Sequence, residues 1–338
     1  MSTLLRELHR EDVSWLRQTG NIQTAEANTI LVSPNCAADC LYVVLDGQLT
    51  VLMQSQGGAK ELLRLTTGDL AGALPVEGYL PQATVGALTD SKVLAVPAAA
   101  IAQKLQSDAE FAARLYRVVA LLLRQQLTQW AAQLGYSLGL LSQLQLKEAS
   151  TVFAELMDSD LDWLAAVGQV EAVKPGTVVL SCGQPVDALH VLLEGAVGLQ
   201  ATETPTPLVA QAFAPDPERS EQEFARLSRG DLIGETALLD PAPASFSAIA
   251  LRESQLLTIP HWRLTARLLY APDFAARLYR LLAILLANKQ RVMLQKLDLL
   301  TADAELDSQF VERMALAEAR FDWLVKRLHT QQPGDAQW

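Results

Sequence analysis

TILVSPNCAADCLYVVLDGQLTVLM (Thr29–Met53) and TVVLSCGQPVDALHVLLEGAVGLQ (Thr177–Gln200) repeat one pattern: brief β-branched and apolar runs, each closed by turn residues. Brief strands at such spacing predict an antiparallel roll or barrel rather than βαβ units. The glycines at Gly47 and Gly195 interrupt strand patterns, where glycine marks a bulge or tight turn. Working outward, the two stretches belong to a longer repeat. At an offset of 148, Asp12, Trp15, Leu16, Gly20, Thr29, Leu41, Val43 and Gly47 meet the identical residues Asp160, Trp163, Leu164, Gly168, Thr177, Leu189, Val191 and Gly195.

Farther along, Gly68-Asp69-Leu70 matches Gly230-Asp231-Leu232 at an offset of 162, so the second copy carries 14 extra residues, within 201–224. FAARLYR at Phe111–Arg117 then recurs intact at Phe274–Arg280. An uninterrupted identity of that length has a chance probability of roughly 10⁻⁴ in such a chain, and three segments in the same order make a duplication. Each copy ends in a long helix, predicted by the stripes Phe111, Leu115, Val118, Leu122 and Phe274, Leu278, Leu281, Leu285. A further helical period after Thr301 (Phe310, Met314, Ala317, Phe321, Leu324, Leu328) has no counterpart after the first copy. The expected class is α+β: two tandem antiparallel β-rolls, each flanked by helices, plus a C-terminal helix. The expected domains are 1–134, a helical linker 135–157 with a Gly/Ser-containing break, 158–300, and an extension 301–338.

The chain has 338 residues, half of them apolar, enough for two cores. A net charge of −11 argues against a broad nucleic-acid or anionic-membrane surface. The N-terminus lacks an apolar signal core, and the strongly apolar run Val118–Leu123 is too short for a bilayer. Three cysteines suit a reducing compartment, so the expected location is cytoplasmic. Cys36 and Cys40 lack a second ligand cluster and are expected to be buried as small apolar residues, with no metal. His190, in the strand place of Tyr42, is expected to be packed. Trp15 and Trp163 are expected to anchor the leading helices, and the FAARLYR arginines to be a solvated edge. No nucleophile elbow, zinc-protease motif, Walker loop or dinucleotide fingerprint occurs, so no enzyme is expected.

Three motifs, LDGQL (Leu45–Leu49), LEGAV (Leu193–Val197) and above all GDLIGETALL (Gly230–Leu239), resemble the cyclic-nucleotide-binding domain family. The likeness covers roughly residues 10–133 and 158–298. It implies a β-roll with a phosphate-binding cassette, G-E-x-A-L-L followed by P-R-[ST]-A. In that family a short helix offers backbone N–H groups to the cyclic phosphate, a glutamate takes the ribose 2′-OH, and an arginine grips the phosphate. Carried over, the second copy keeps Gly234, Glu235, Thr236 and Ala237. Its arginine position falls at Ala244, followed by Ser245. The first copy has Ala73 for the glutamate and Gln82 for the arginine.

A hydrogen bond to a charged group contributes about 1.5–3 kcal/mol, so one loss weakens binding roughly 10- to 150-fold. The resemblance therefore implies a first copy that binds no cyclic nucleotide and a second that holds cAMP or cGMP only weakly. Glu235 has two readings here: a ligand contact, or a helix-start carboxylate satisfying amides. In layout the chain resembles tandem two-domain bacterial proteins without an effector domain, such as those labelled bacteriocin-type transport-associated. That implies a regulatory or adaptor protein working through a protein partner, with a true sensor as the alternative. A transcription regulator fits less well, because the acidic C-terminal segment offers no basic recognition helix. Pairing of the two equivalent long helices within one chain predicts a pseudo-symmetric monomer.

Overall fold

The computed structural model describes residues 3–34, 36, 38–55, 58–76, 81, 83–133, 153–201, 222–296 and 308–331. The expected linker break and most of the 201–224 insertion lie outside them, as does Gln82. The chain divides into two compact units, Met1–Gly135 with Leu268–Glu305, and Tyr136–Arg267 with Leu306–Trp338.

In the first unit, helices α1 (Thr3–Glu7) and α2 (Arg10–Thr19) precede the strands β1 (Asn21–Ala25), β2 (Ile30–Val32), β3 (Cys40–Asp46), β4 (Leu49–Ser55), β5 (Gly58–Leu65), β6 (Leu70–Gly72), β7 (Thr84–Ala87) and β8 (Ser91–Pro97). They form two four-stranded antiparallel sheets, ordered β1-β8-β3-β6 and β2-β7-β4-β5. β3 and β4, consecutive in sequence, lie in different sheets, so the Asp46–Gln48 corner carries the chain from one to the other. Gly47 makes the corner possible: its φ is +82°, and a Cβ there would sit 2.4 Å from Ser91 Oγ. That Oγ accepts from the Gln48 amide at 3.1 Å and donates to the Thr89 carbonyl at 2.7 Å.

Helices α3 (Ala98–Ser107) and α4 (Ala109–Gln133) follow, and α7 (Pro272–Lys296), from the second repeat, packs on α4 in the same unit. The predicted stripe Phe111, Leu115, Val118, Leu122 joins Leu41, Val43, Leu94 and Val96 in one apolar cluster. Thus the stripe packs on the roll. Val119, Ala120 and Leu123 are equally buried, which is why α4 is apolar nearly all round. Trp15 anchors α2 as expected, its ring edge-on to Phe111 with centroids 5.3 Å apart.

The FAARLYR arginines of this copy are not a solvated edge. Arg114 makes a two-pronged pair with buried Asp12, at 2.7 and 3.0 Å, and Arg117 pairs with Glu7. Asp12 also accepts from the His9 amide at 2.8 Å, closing the start of α2. A guanidinium fork meeting a carboxylate that already caps a helix is an arrangement that helical spacing alone does not reveal.

The second unit repeats the plan. Helix α5 (Asp158–Val167) leads into β9 (Gln169–Val173), β10 (Val178–Leu180), β11 (Ala188–Glu194), β12 (Val197–Ala201), β13 (Gln222–Leu227), β14 (Leu232–Ile233), β15 (Ser247–Ala250) and β16 (Ser254–Pro260), and then α6 (His261–Tyr270), whose residues from Leu268 on fall in the first unit. The sheets run β14-β11-β16-β9 and β10-β15-β12-β13. Asp160 takes the role of Asp12, accepting from the Met157 amide at 2.9 Å. The C-terminal helix α8 (Ser308–Gln331) belongs to this unit. It buries Ala317, Phe321, Leu324 and Leu328, while the side chains of Phe310 and Met314 lie outside the described residues. Phe321 packs against Phe153 with the rings tilted by 55°, and Arg320 donates to the carbonyls of Phe153 and Ala154 at 3.3 and 3.2 Å. Among the described residues, no helix is long and apolar enough to cross a membrane.

Candidate functional site

The cassette of the second unit is built on the Gly-Asp-Leu match. Asp231 folds its own turn, its carboxylate accepting from the Ser228 amide at 2.7 Å, and its backbone ties to Leu192. Asp69 does the same for Thr66 in the first unit. The shared triplet is therefore a structural device in both copies. After it, Leu232 and Ile233 pair with Val191 and His190 on β11.

Gly234 then turns the chain with φ +90°, packed so closely that a Cβ would lie 2.6 Å from the Ala188 carbonyl. Only glycine combines that backbone angle with that approach. It launches a 3₁₀ turn, Glu235–Leu238, whose Ala237 and Leu239 amides bond back to Gly234 and Thr236 at 3.3 and 3.1 Å. Glu235 is buried, and Thr236 and Ala237 are half-buried.

Ala244, at the arginine position, is 8% exposed. Its amide donates to the Gln184 carbonyl at 2.9 Å, and its carbonyl accepts from Gly183 at 2.8 Å. Around it the roll interior is apolar: Leu180, Leu199, Leu227, Ile233 and Ala248, with Val179, Val186 and Phe246 at the margin. Ser245, next along, faces solvent. These six positions lie on one segment, and among the described residues the cluster around Ala244 holds no Lys or Arg. Arg252 donates to the Gly195 carbonyl at 2.9 Å, at the corner between the sheets. Arg226 is exposed on β13, beside buried Leu227 and so on the opposite face of the strand.

The first unit differs at the same point. Gly72 keeps the positive φ of +89°, but Leu74 and Val76 bond back two residues, to Gly72 and Leu74, in place of a 3₁₀ turn. Ala73, at the glutamate position, donates its amide to Cys40 at 2.9 Å. A cavity of about 570 Å³ lies beside this segment, walled by Leu74, Val76, Ile101 and Leu105, with Tyr116, Arg277 and Arg280 among its polar lining. Its lining includes no residue of β4, β5 or β7, so it is not the interior of the roll.

Two half-buried histidines that sequence reading did not connect lie near each other on the second roll. His190 shares a 3.0 Å hydrogen bond between Nδ1 and Thr258 Oγ1. Burial, with nearby His261 adding to it, holds its pKa down at about 4. His261 is itself lowered by burial, although the nearby Val186 and Gly234 backbone and the charge of Asp187 oppose this. The available signal was the repeat, which places Tyr42 and Ala98 where the second copy has these histidines. Cys36 is exposed and Cys40 half-buried, against the expectation of burial, because Cys36 sits in the loop between β2 and β3. No cluster of metal-ligating side chains occurs among the described residues.

The regulatory domain of Toxoplasma gondii PKA with cAMP is 18% identical, with 80% of this chain and 89% of that one covered at a TM-score of 0.30. The regulatory subunit of a cAMP-independent protein kinase A from Trypanosoma brucei is 15% identical, with 80% and 92% covered at 0.30. The N-terminal domain of a transcriptional regulator from Streptomyces coelicolor A3(2) is 28% identical, but over 37% of this chain and 88% of that one, at 0.33. No curated protein matches the chain. The family model for the cyclic nucleotide-binding domain matches twice, at residues 22–108 and 170–268, one match on each roll. Those two segments exceed half of the sequence, and the chain belongs to the cyclic nucleotide-binding domain family as a tandem of two such domains.

Proposed function

We propose that this chain is a non-enzymatic, cytoplasmic adaptor or regulatory protein whose two domains work through contacts with a protein partner rather than through a bound nucleotide. The observation that carries the reading is Ala244, buried within an apolar cluster at the position where the family's arginine would meet the phosphate. An anionic phosphate brought there would lose water without gaining a counter-charge, which costs several kcal/mol unless hydrogen bonds replace it. The first domain supports the same reading, with Ala73 at the position matching Glu235 and no 3₁₀ turn among the described residues 73–76.

The retained turn at Gly234–Ala237 favours one alternative, a cyclic-nucleotide sensor acting through the second domain alone. Isothermal titration of the full chain with cyclic AMP and cyclic GMP decides between them. The adaptor reading expects no heat of binding up to millimolar nucleotide, for the wild type and for Glu235→Ala alike. Micromolar binding abolished by Glu235→Ala would establish the sensor instead.

A further inference from the structure

Helix α6 hides one side and leaves the other bare. Leu264 is fully buried, whereas Trp262 is 68% exposed, Leu269 72% and Tyr270 85%. At 3.6 residues per turn, Trp262, Thr265, Ala266, Leu269 and Tyr270 share one arc of about 140°. All five are exposed. Arg263 and Arg267 border that arc on the Tyr270 side, and no Asp or Glu occurs between His261 and Tyr270. The Arg263 guanidinium lies over the Trp262 ring at 5.1 Å while donating to the Val167 carbonyl, and Arg267 lies over Trp163 at 5.2 Å. Both are therefore held in place along the edge of the stripe.

The first copy shows that the fold does not need this face. Its α3 starts from the equivalent strand end and buries Ile101 where α6 buries Leu264. Yet the five positions of the arc are Ala99, Ala102, Gln103, Gln106 and Ser107, exposed but small or polar. Two helices that start from equivalent strand ends and bury one equivalent side chain thus differ in the size and polarity of this exposed arc. Large apolar side chains grouped in solvent mark an interaction site.

We infer that the exposed face of α6 docks an acidic amphipathic helix of a partner protein. Apolar side chains of that helix would cover Trp262, Leu269 and Tyr270, and its carboxylates would lie along Arg263 and Arg267. This rests on the adaptor reading, for which it supplies a docking face. Charge selects the occupant. An anionic bilayer is a broad surface that would meet the −11 of the whole chain, whereas a single helix meets only the arginine-edged face. A twin α6 packed face to face and antiparallel would set arginines against arginines.

The test uses the full chain and a fluorescein-labelled amphipathic peptide of about 18 residues, long enough to form a helix, with Leu and Phe on one face and Glu on the other. Polarisation should rise to saturation and weaken with salt. Trp262→Ala, and separately Leu269→Ser with Tyr270→Ser, should each lower affinity at least about tenfold, as central aromatic anchors do. Gln103→Ala on α3 should change nothing, and unchanged thermal melts confirm that these surface variants fold. Absence of binding, equal binding by Trp262→Ala, or equal binding of a peptide with Lys in place of Glu would overturn the inference. So would Trp262-dependent binding to phosphatidylglycerol vesicles instead of the peptide, or a dimer that Trp262→Ala dissociates. Nucleotide titration of the same samples separates the two readings. Nucleotide binding with peptide binding intact removes the adaptor reading alone, and silence towards both removes the docking face alone.

Discussion

His190 and His261 give the second domain a pH dependence that the first, with Tyr42 and Ala98 in their places, does not share. Burial holds His190 near 4, below the 6.5 of an unfolded chain, so between those values the unfolded state binds more protons. Its contribution is complete above pH 6.5 and is lost as the pH falls towards 4, with lowered His261 acting in the same sense. His190→Tyr, the residue of the first copy, should flatten the fall in melting temperature between pH 7 and pH 5. An equally steep fall in that variant would place the dependence elsewhere. The same scale explains which matches between the repeats are structural. Asp12 with Asp160, Asp69 with Asp231, and Gly47 with Gly195 each close a cap, a turn or a corner in both copies.

Among the elements, the pair α4 and α7 carries a buried polar group in its contact. Gln290 is 2% exposed, and its amide donates to the Leu123 carbonyl at 3.0 Å and to Gln126 Oε1 at 3.4 Å. Since a helical carbonyl already has its own i+4 partner, this bond adds specificity of register more than it satisfies an orphan group. Gln290→Ala should cost about 1–3 kcal/mol by leaving a void, whereas Gln290→Leu, which refills it, should cost less than about 1 kcal/mol. Denaturant unfolding of the two variants checks this, and an equal cost would show that the hydrogen bond outweighs the packing. The stripe on α4 was legible as amphipathic spacing. Its second buried face was not, because a helix with two neighbours loses the polar side that makes period visible.

For the whole molecule, pairing of equivalent helices inside one chain satisfies the surface that separate chains would otherwise bury against each other, so we propose a monomer. Sedimentation equilibrium at micromolar concentration should give the mass of one chain, and a stable dimer would contradict it. The two rolls and the helices after them were written in local pattern: strand alternation, glycine corners and amphipathic stripes. The duplication was written in matching segments, and the missing arginine was implied by the resemblance of the cassette. Local pattern survives in sequence because it depends on neighbours a few residues apart. Burial of Ala244 among Leu180, Ile233 and Phe246, the meeting of His190 with His261, the Arg114–Asp12 pair and the bare face of α6 depend on residues brought together from distant parts of the chain. Those distances close only on folding, so only the tertiary structure decided them.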